Sequence, residues 1–187
     1  MQLSDWAASA AEHWPYWAVT VFLIVGAVID GIELRVPNWL TYPMIVAGWI
    51  YSGVYAGGEG IMWSLIGTAV GLGLLLPAYA IGGMGAGDVK MLAAVGAWVY
   101  GWHTFYAFCV STIVGAVLAV AMVVLQGQFR KHYNQFLMIW MEILTIRDPE
   151  KLSAIAAERK PRMKLLPYGI PIAIGTIGYF AWTGMLL

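Results

Sequence analysis

Two aspartates in this chain stand where apolar stretches end. Asp88 closes the run Gly85-Ala86-Gly87-Asp88 between two long apolar segments, and Asp30 closes an earlier one. A carboxylate at the edge of a membrane helix is costly to keep there, so it marks a candidate functional site. Two carboxylates that approach closely cannot both ionise easily and share a proton. The ionised member takes a proton from water, and the protonated member donates to a carbonyl oxygen. That division of labour hydrolyses a peptide without a covalent intermediate. Asp30 and Asp88 are therefore the predicted catalytic pair of an intramembrane aspartic endopeptidase. A coupled pair titrates as a unit, so neither acid is assigned as base. Gly85 and Gly87 lack a Cβ, which lets another backbone approach and permits positive φ. Both are read as substrate-binding positions beside Asp88.

The elements that must position these acids follow from composition. Of 187 residues, 61% are hydrophobic and 11% charged, against roughly a quarter charged in soluble domains. A span needs about 20 mostly apolar residues. The expectation is an all-α integral membrane protein of about six transmembrane helices, one membrane-embedded domain over residues 1–187. Residues 1–15 are mixed in polarity and read as a short surface helix. The first span runs from Tyr16 to Ile29 and reaches full length by continuing through Asp30. No Lys or Arg precedes it, and Ala8-Ser9-Ala10 lies before its apolar core, so it is expected to be retained rather than cleaved. A break at Val36-Pro37-Asn38 precedes a second span, Trp39 to Ala56, which ends at Gly57-Gly58-Glu59-Gly60. A third covers Ile61 to Ile81 and leads into a Gly82–Asp88 loop. Val89 to Gln126 is too long for one span and fits two, hinged near Gly101-Trp102-His103. Residues 127–165 form a polar loop between spans five and six, and the last span is Leu166 to Leu187.

The cations orient this arrangement. With six spans, Arg35, Lys90, Arg130, Lys131, Arg147, Lys151, Arg159, Lys160, Arg162 and Lys164 all fall on one face. Positive residues mark the cytoplasmic side, so both termini are expected outside and both aspartates at the cytoplasmic face. Lys90 can hold Asp88 ionised or contact substrate; otherwise it snorkels to the interface. Glu33 and Arg35 can support the site or recognise substrate, or are solvated loop charges. Asn38 is expected to cap the helix that follows it. The segment Phe136–Leu144, flanked by basic residues, is read as an interfacial helix; alternatively it docks an assembly partner or gates the site. The cluster Arg159–Lys164 is read as a contact for acidic lipids, with no nucleic-acid partner. Trp14, Tyr16, Trp17, Trp39, Trp102 and Trp182 lie near span ends, as interfacial belts do. Gly67, Gly71 and Gly73 suggest close helix packing. Cys109 is a lone cysteine in an apolar stretch. His103 falls on the outer side, away from both acids, and is read as structural; His13 and His132 have no ligand-spaced partners, so no metal is expected, and no cofactor is expected either.

Three segments carry a resemblance. Gly85-Ala86-Gly87-Asp88-Val89-Lys90 resembles the GxGD motif of the type IV prepilin peptidase family. Asp30 with Arg35-Val36-Pro37-Asn38-Trp39-Leu40-Thr41 resembles the family's first-aspartate segment. Leu166-Pro167-Tyr168-Gly169-Ile170-Pro171 resembles its Pro-Tyr-Gly segment at the start of the last span. The resemblance implies an aspartic peptidase of the bacterial inner membrane that uses Asp30 and Asp88 to remove the leader of type IV pilin-like precursors at the cytoplasmic face. Larger members carry a cytoplasmic insertion with paired CxxC motifs and also methylate the new N-terminus. This sequence lacks that insertion after span one and is similar to the small peptidases of tight-adherence (Flp) pilus systems, so methyltransferase activity is not expected. Implied partners are pilin-like precursors, membrane lipids and pilus-assembly proteins. Two other classes remain open at this point: a proton-coupled transporter, which would bury its acids at mid-membrane, and a non-catalytic scaffold that binds pilins.

Overall fold

The structure, a computed structural model, describes residues 3–80, 83–125 and 167–187, with side chains from residue 13, and between them 137–142, 144–146, 148, 151, 152, 154 and 155. Four main helices follow in order: α1 (Leu3–Glu33), α2 (Asn38–Ala80), α3 (Ala86–Leu125) and α4 (Gly169–Trp182). Three are long and apolar enough to cross a membrane, counting His13–Glu33 of α1; α4 is a shorter apolar helix. The described residues are thus those of a helical membrane protein, with no strand among them.

α1 differs from expectation. The surface helix and the first span are one helix that runs through Pro15. α2 has 43 residues and α3 has 40. Straight helices of that length would extend about 60 Å or more at 1.5 Å per residue, twice the hydrocarbon thickness. Each is broken once. Gly57 breaks α2 with φ 62 and ψ −146, a conformation glycine adopts without a Cβ penalty. The chain turns back there: Trp49 Nε1 donates to Thr68 Oγ1 at 3.0 Å, although the two are 19 residues apart. Tyr100 breaks α3 with φ 64, one residue before the expected glycine hinge.

The first half of α3 is the centre of the fold. Met91, Leu92, Ala93, Ala94, Val95 and Ala97 are wholly inaccessible. Lipid tails are as apolar as leucine, so such helices associate through close packing and hydrogen bonds rather than hydrophobic drive. Small residues provide that here. The Gly67 and Gly96 backbones are in contact, and Gly71 lies on the backbone of Leu92 and Ala93. Gly73, expected to do the same, faces open space. Ser64 Oγ donates to the Ala97 carbonyl, and Trp98 Nε1 to the Met44 carbonyl at 2.9 Å. α4 packs on the second half of α3, where Gly175 lies against Ser111. His103 Nδ1 bonds the Tyr179 hydroxyl at 2.8 Å.

Residues 137–142 of the expected interfacial segment are helical, with Leu137, Met138, Trp140 and Met141 exposed. Phe136 and Ile143, His132, and the cations Arg130, Lys131, Arg147, Arg159, Lys160, Arg162 and Lys164 lie outside the described residues, as does most of the 127–165 loop.

Candidate active site

Asp30 sits in the last turn of α1 and is 3% exposed. The helix ends just beyond it, where Leu34 takes φ 54 and donates its N–H to the Asp30 carbonyl at 2.9 Å. A left-handed residue commonly closes a helix, usually as glycine. Leucine in that conformation carries strain of about 1–2 kcal/mol. The Asp30 carboxylate is held from a distant part of the chain: Gly169, first residue of α4, donates its N–H to Asp30 Oδ2 at 2.8 Å. A Cβ on residue 169 would lie 2.9 Å from that oxygen, so only glycine brings the amide this close.

Asp88 lies in the first turn of α3 and is 7% exposed. The expected Gly82–Asp88 loop therefore ends earlier, because the helix begins at Ala86. Gly85 precedes it, and its N–H donates to Asp88 Oδ2 at 3.2 Å. This is the half of a capping box in which an acidic side chain at the third helical position reaches back to the amide before the helix. Gly87 serves another purpose. A Cβ there would lie 2.8 Å from both N and O of Val36, so the start of α3 is pressed onto the loop that follows Asp30. Neither Gly85 nor Gly87 has positive φ; among the described residues that belongs to Gly57, Gly184, Leu34 and Tyr100.

Both carboxylates line one cavity of about 550 Å³, within the roughly 300–1,000 Å³ range of small-ligand sites. Asp88 and Ala119, on either side of the Tyr100 break, share it, so α3 folds back on itself. Leu34, Met84, Thr112, Ala116 and Tyr168 complete much of the wall.

The other expected site residues are placed elsewhere. Lys90 Nζ donates to Asn38 Oδ1 at 2.8 Å and lies 4.8 Å from the centre of the Tyr42 ring. Arg35 Nε pairs with Glu33 Oε2 at 2.9 Å on an exposed surface. Asn38 is not the cap expected of it. The Pro37 carbonyl accepts from Leu40 and Thr41, which makes Asn38 the first helical residue, with its side chain turned to Lys90. Thr112, Leu34 and the role of Gly169 were not read from sequence. The signal for Gly169 was Pro167-Tyr168-Gly169 at a span start; Thr112 sits mid-span with nothing to distinguish it. Among the described residues no three His, Cys, Asp or Glu side chains group as metal ligands.

Comparison with known proteins gives a family match. The model of the type IV leader peptidase family matches residues 17–120, more than half of the chain and both aspartates. The prepilin leader peptidase/N-methyltransferase of Aeromonas hydrophila is 30% identical over 117 residues, covering 58% of this chain and 40% of that protein. The protein of the same description from Neisseria gonorrhoeae is 32% identical over 117 residues, covering 59% and 41%. That from Stutzerimonas stutzeri is 33% identical over 114 residues, covering 56% and 38%. The chain spans about two fifths of the length of these relatives. No solved structure matches.

Proposed function

The chain belongs to the type IV leader peptidase family, and from that premise we propose that it is an intramembrane aspartic endopeptidase that removes the leader of type IV pilin-like precursors. The single observation that carries the catalytic reading is that Asp30 and Asp88, on different helices and both buried, line the same cavity. One carboxylate takes a proton from water, the other protonates the scissile carbonyl oxygen, and the pair shares the remaining proton.

The topology follows the same reading. The breaks at Gly57 and Tyr100 divide α2 and α3 in two, which with α1 and α4 makes six spans. Arg35 and Lys90 then lie on one face with the 127–165 loop, the cytoplasmic face of the inner membrane by the positive-inside rule. Both termini lie outside. Both acids sit near helix ends on that face, where a precursor anchored by its apolar helix would present its leader. The relatives' description includes N-methylation. This sequence has a single cysteine and no paired CxxC, which supports a peptidase without that second activity, of the small Flp-pilus type. Precursors, lipids and pilus-assembly proteins are the proposed partners.

The test is co-expression with Flp-type precursors, reading leader removal by gel shift and mass. The parent should cleave. Asp30→Asn and Asp88→Asn should insert normally and leave precursor intact. Cleavage retained in both variants would refute the dyad, and no cleavage by the parent of several inserted precursors would favour the scaffold or transporter class.

A further inference from the structure

The residue that closes α1 is not one that a helix end favours. Leu34 follows Glu33 with φ 54, and its N–H donates to the Asp30 carbonyl at 2.9 Å. Glycine serves such a position without steric cost, and asparagine next best. A leucine held there persists only where something else about the site requires it, and residues of this kind cluster at functional sites. This form of helix end is commonly supported by an apolar contact between the left-handed residue and the one four before it. Here that earlier residue is Asp30, a carboxylate rather than an apolar partner. Core packing does not account for the leucine either, since Leu34 is 54% exposed. What its side chain does meet is the cavity that holds both acids. Met84, four residues before Asp88 as Leu34 is four after Asp30, lines the same cavity. With Ala116, Ala119 and Pro167 they make much of the wall around the two carboxylates apolar.

We propose that Leu34 is a specificity-determining residue, the apolar surface on which a precursor seats the apolar side chain nearest the cut. The inference rests on the peptidase reading and adds to it a reason for leucine where glycine would cost nothing. The bond from the Leu34 amide to the Asp30 carbonyl fixes this surface relative to the acid, so substrate seat and carboxylate keep one register. A contact made equally in the ground state and the transition state changes KM and leaves kcat unchanged. A missing methylene in an apolar pocket is worth about 10–200-fold, and a half-exposed leucine belongs at the low end of that range.

The experiment uses the purified full chain in proteoliposomes, with a precursor that the parent cleaves and its ratio to lipid varied. Parent, Leu34→Gly, Leu34→Ala and Leu34→Met are compared. Leu34→Gly should raise KM about tenfold with kcat within about twofold. Its thermal midpoint should equal or exceed the parent's, because glycine adopts the left-handed conformation freely. Leu34→Ala should raise KM equally without that gain, since alanine keeps the strained backbone and loses the contact. Leu34→Met, close in volume and apolar, should keep KM within about twofold. Truncating to alanine the precursor's apolar residue nearest the cut should raise KM for the parent and add nothing in Leu34→Gly, because the two side chains make one contact. Unchanged KM in Leu34→Gly and Leu34→Ala would overturn the proposal and leave the peptidase reading standing; the leucine would then face only lipid or solvent. A fall in kcat at unchanged KM would also overturn it, since Leu34 would then position Asp30 rather than hold substrate. Additive losses with the truncated precursor would overturn it too. A parent inactive on all precursors overturns both readings. Should Leu34→Gly not fold, Leu34→Ala decides the question alone.

Discussion

Gly169→Ala is expected to lower activity more than it lowers stability. The new Cβ would lie 2.9 Å from Asp30 Oδ2, 3.0 Å from its Cβ and 3.2 Å from its Cγ. Carbon contacts are relaxed at about 3.5–4.0 Å, so the carboxylate must retreat by roughly half an ångström or more, and the 2.8 Å bond from the amide lengthens with it. A misplacement of about 1 Å can cost about 10²-fold in rate, which sets the expected loss of kcat at about 10–100-fold. Stability should change less. Overpacking costs about 1–3 kcal/mol, partly offset by about 0.5–1 kcal/mol from replacing glycine in a helix. Gly178→Ala is the matched control on the same helix: nothing lies within 4 Å of its Cβ, so it should keep parental kcat. The assay is initial-rate cleavage of a precursor in nanodiscs, normalised to folded protein by a thermal melt. Folded Gly169→Ala with kcat within twofold of the parent would refute the argument that the α4 amide holds Asp30 in its working position.

Two further outcomes follow from packing and topology. Gly96→Ala sets a Cβ against the Gly67 backbone; no side chain is there to yield, so the loss should reach or exceed the upper end of the about 1–3 kcal/mol range for overpacking, read as a lowered melting temperature and poor insertion. Gly101→Ala, with only Val70 and Ile66 methyls at 3.5 Å and beyond, should be tolerated. For topology, single-cysteine variants in a Cys109→Ser background should label from opposite sides: Arg35→Cys from the cytoplasm and Gly58→Cys from outside. Labelling from one side would overturn the six-span reading.

Much of the architecture was legible because apolar length and glycine are strong signals. The break at Gly57 was visible as Gly57-Gly58-Glu59-Gly60, although only one of those residues leaves the helix. The second break fell on Tyr100 rather than on Gly101 beside it. A Cβ at position 101 would make only ordinary contacts with methyls of Val70 and Ile66, and the positive φ falls on its neighbour. The acids were legible because a carboxylate in an apolar stretch is costly and has few reasons to be there. Their helpers were not. Gly169 meets Asp30 through a backbone amide, 139 residues away, which local spacing does not show. The pairing of Lys90 with Asn38 was not legible either, because each was read against its neighbours in sequence and they meet 52 residues apart across the fold.

Of the two properties read from the motif glycines, close backbone approach is seen at Gly87 and positive φ at neither. A flexible loop that cradles substrate would use positive φ, and neither Gly85 nor Gly87 does so. What they contribute is the missing Cβ. Gly87 lets the start of α3 lie on Val36, six residues after Asp30, and Gly169 lets the start of α4 lie on Asp30 itself. Asp88 is fixed in turn by the Gly85 amide within its own helix start. Two short backbone paths therefore tie the acids together, one through Val36 and Gly87 and one through Gly169. Backbone contacts are far less adjustable than side chains, which reorient among rotamers at little cost. A pair of carboxylates 58 residues apart in sequence is thereby brought to one cavity through backbone contacts on both sides.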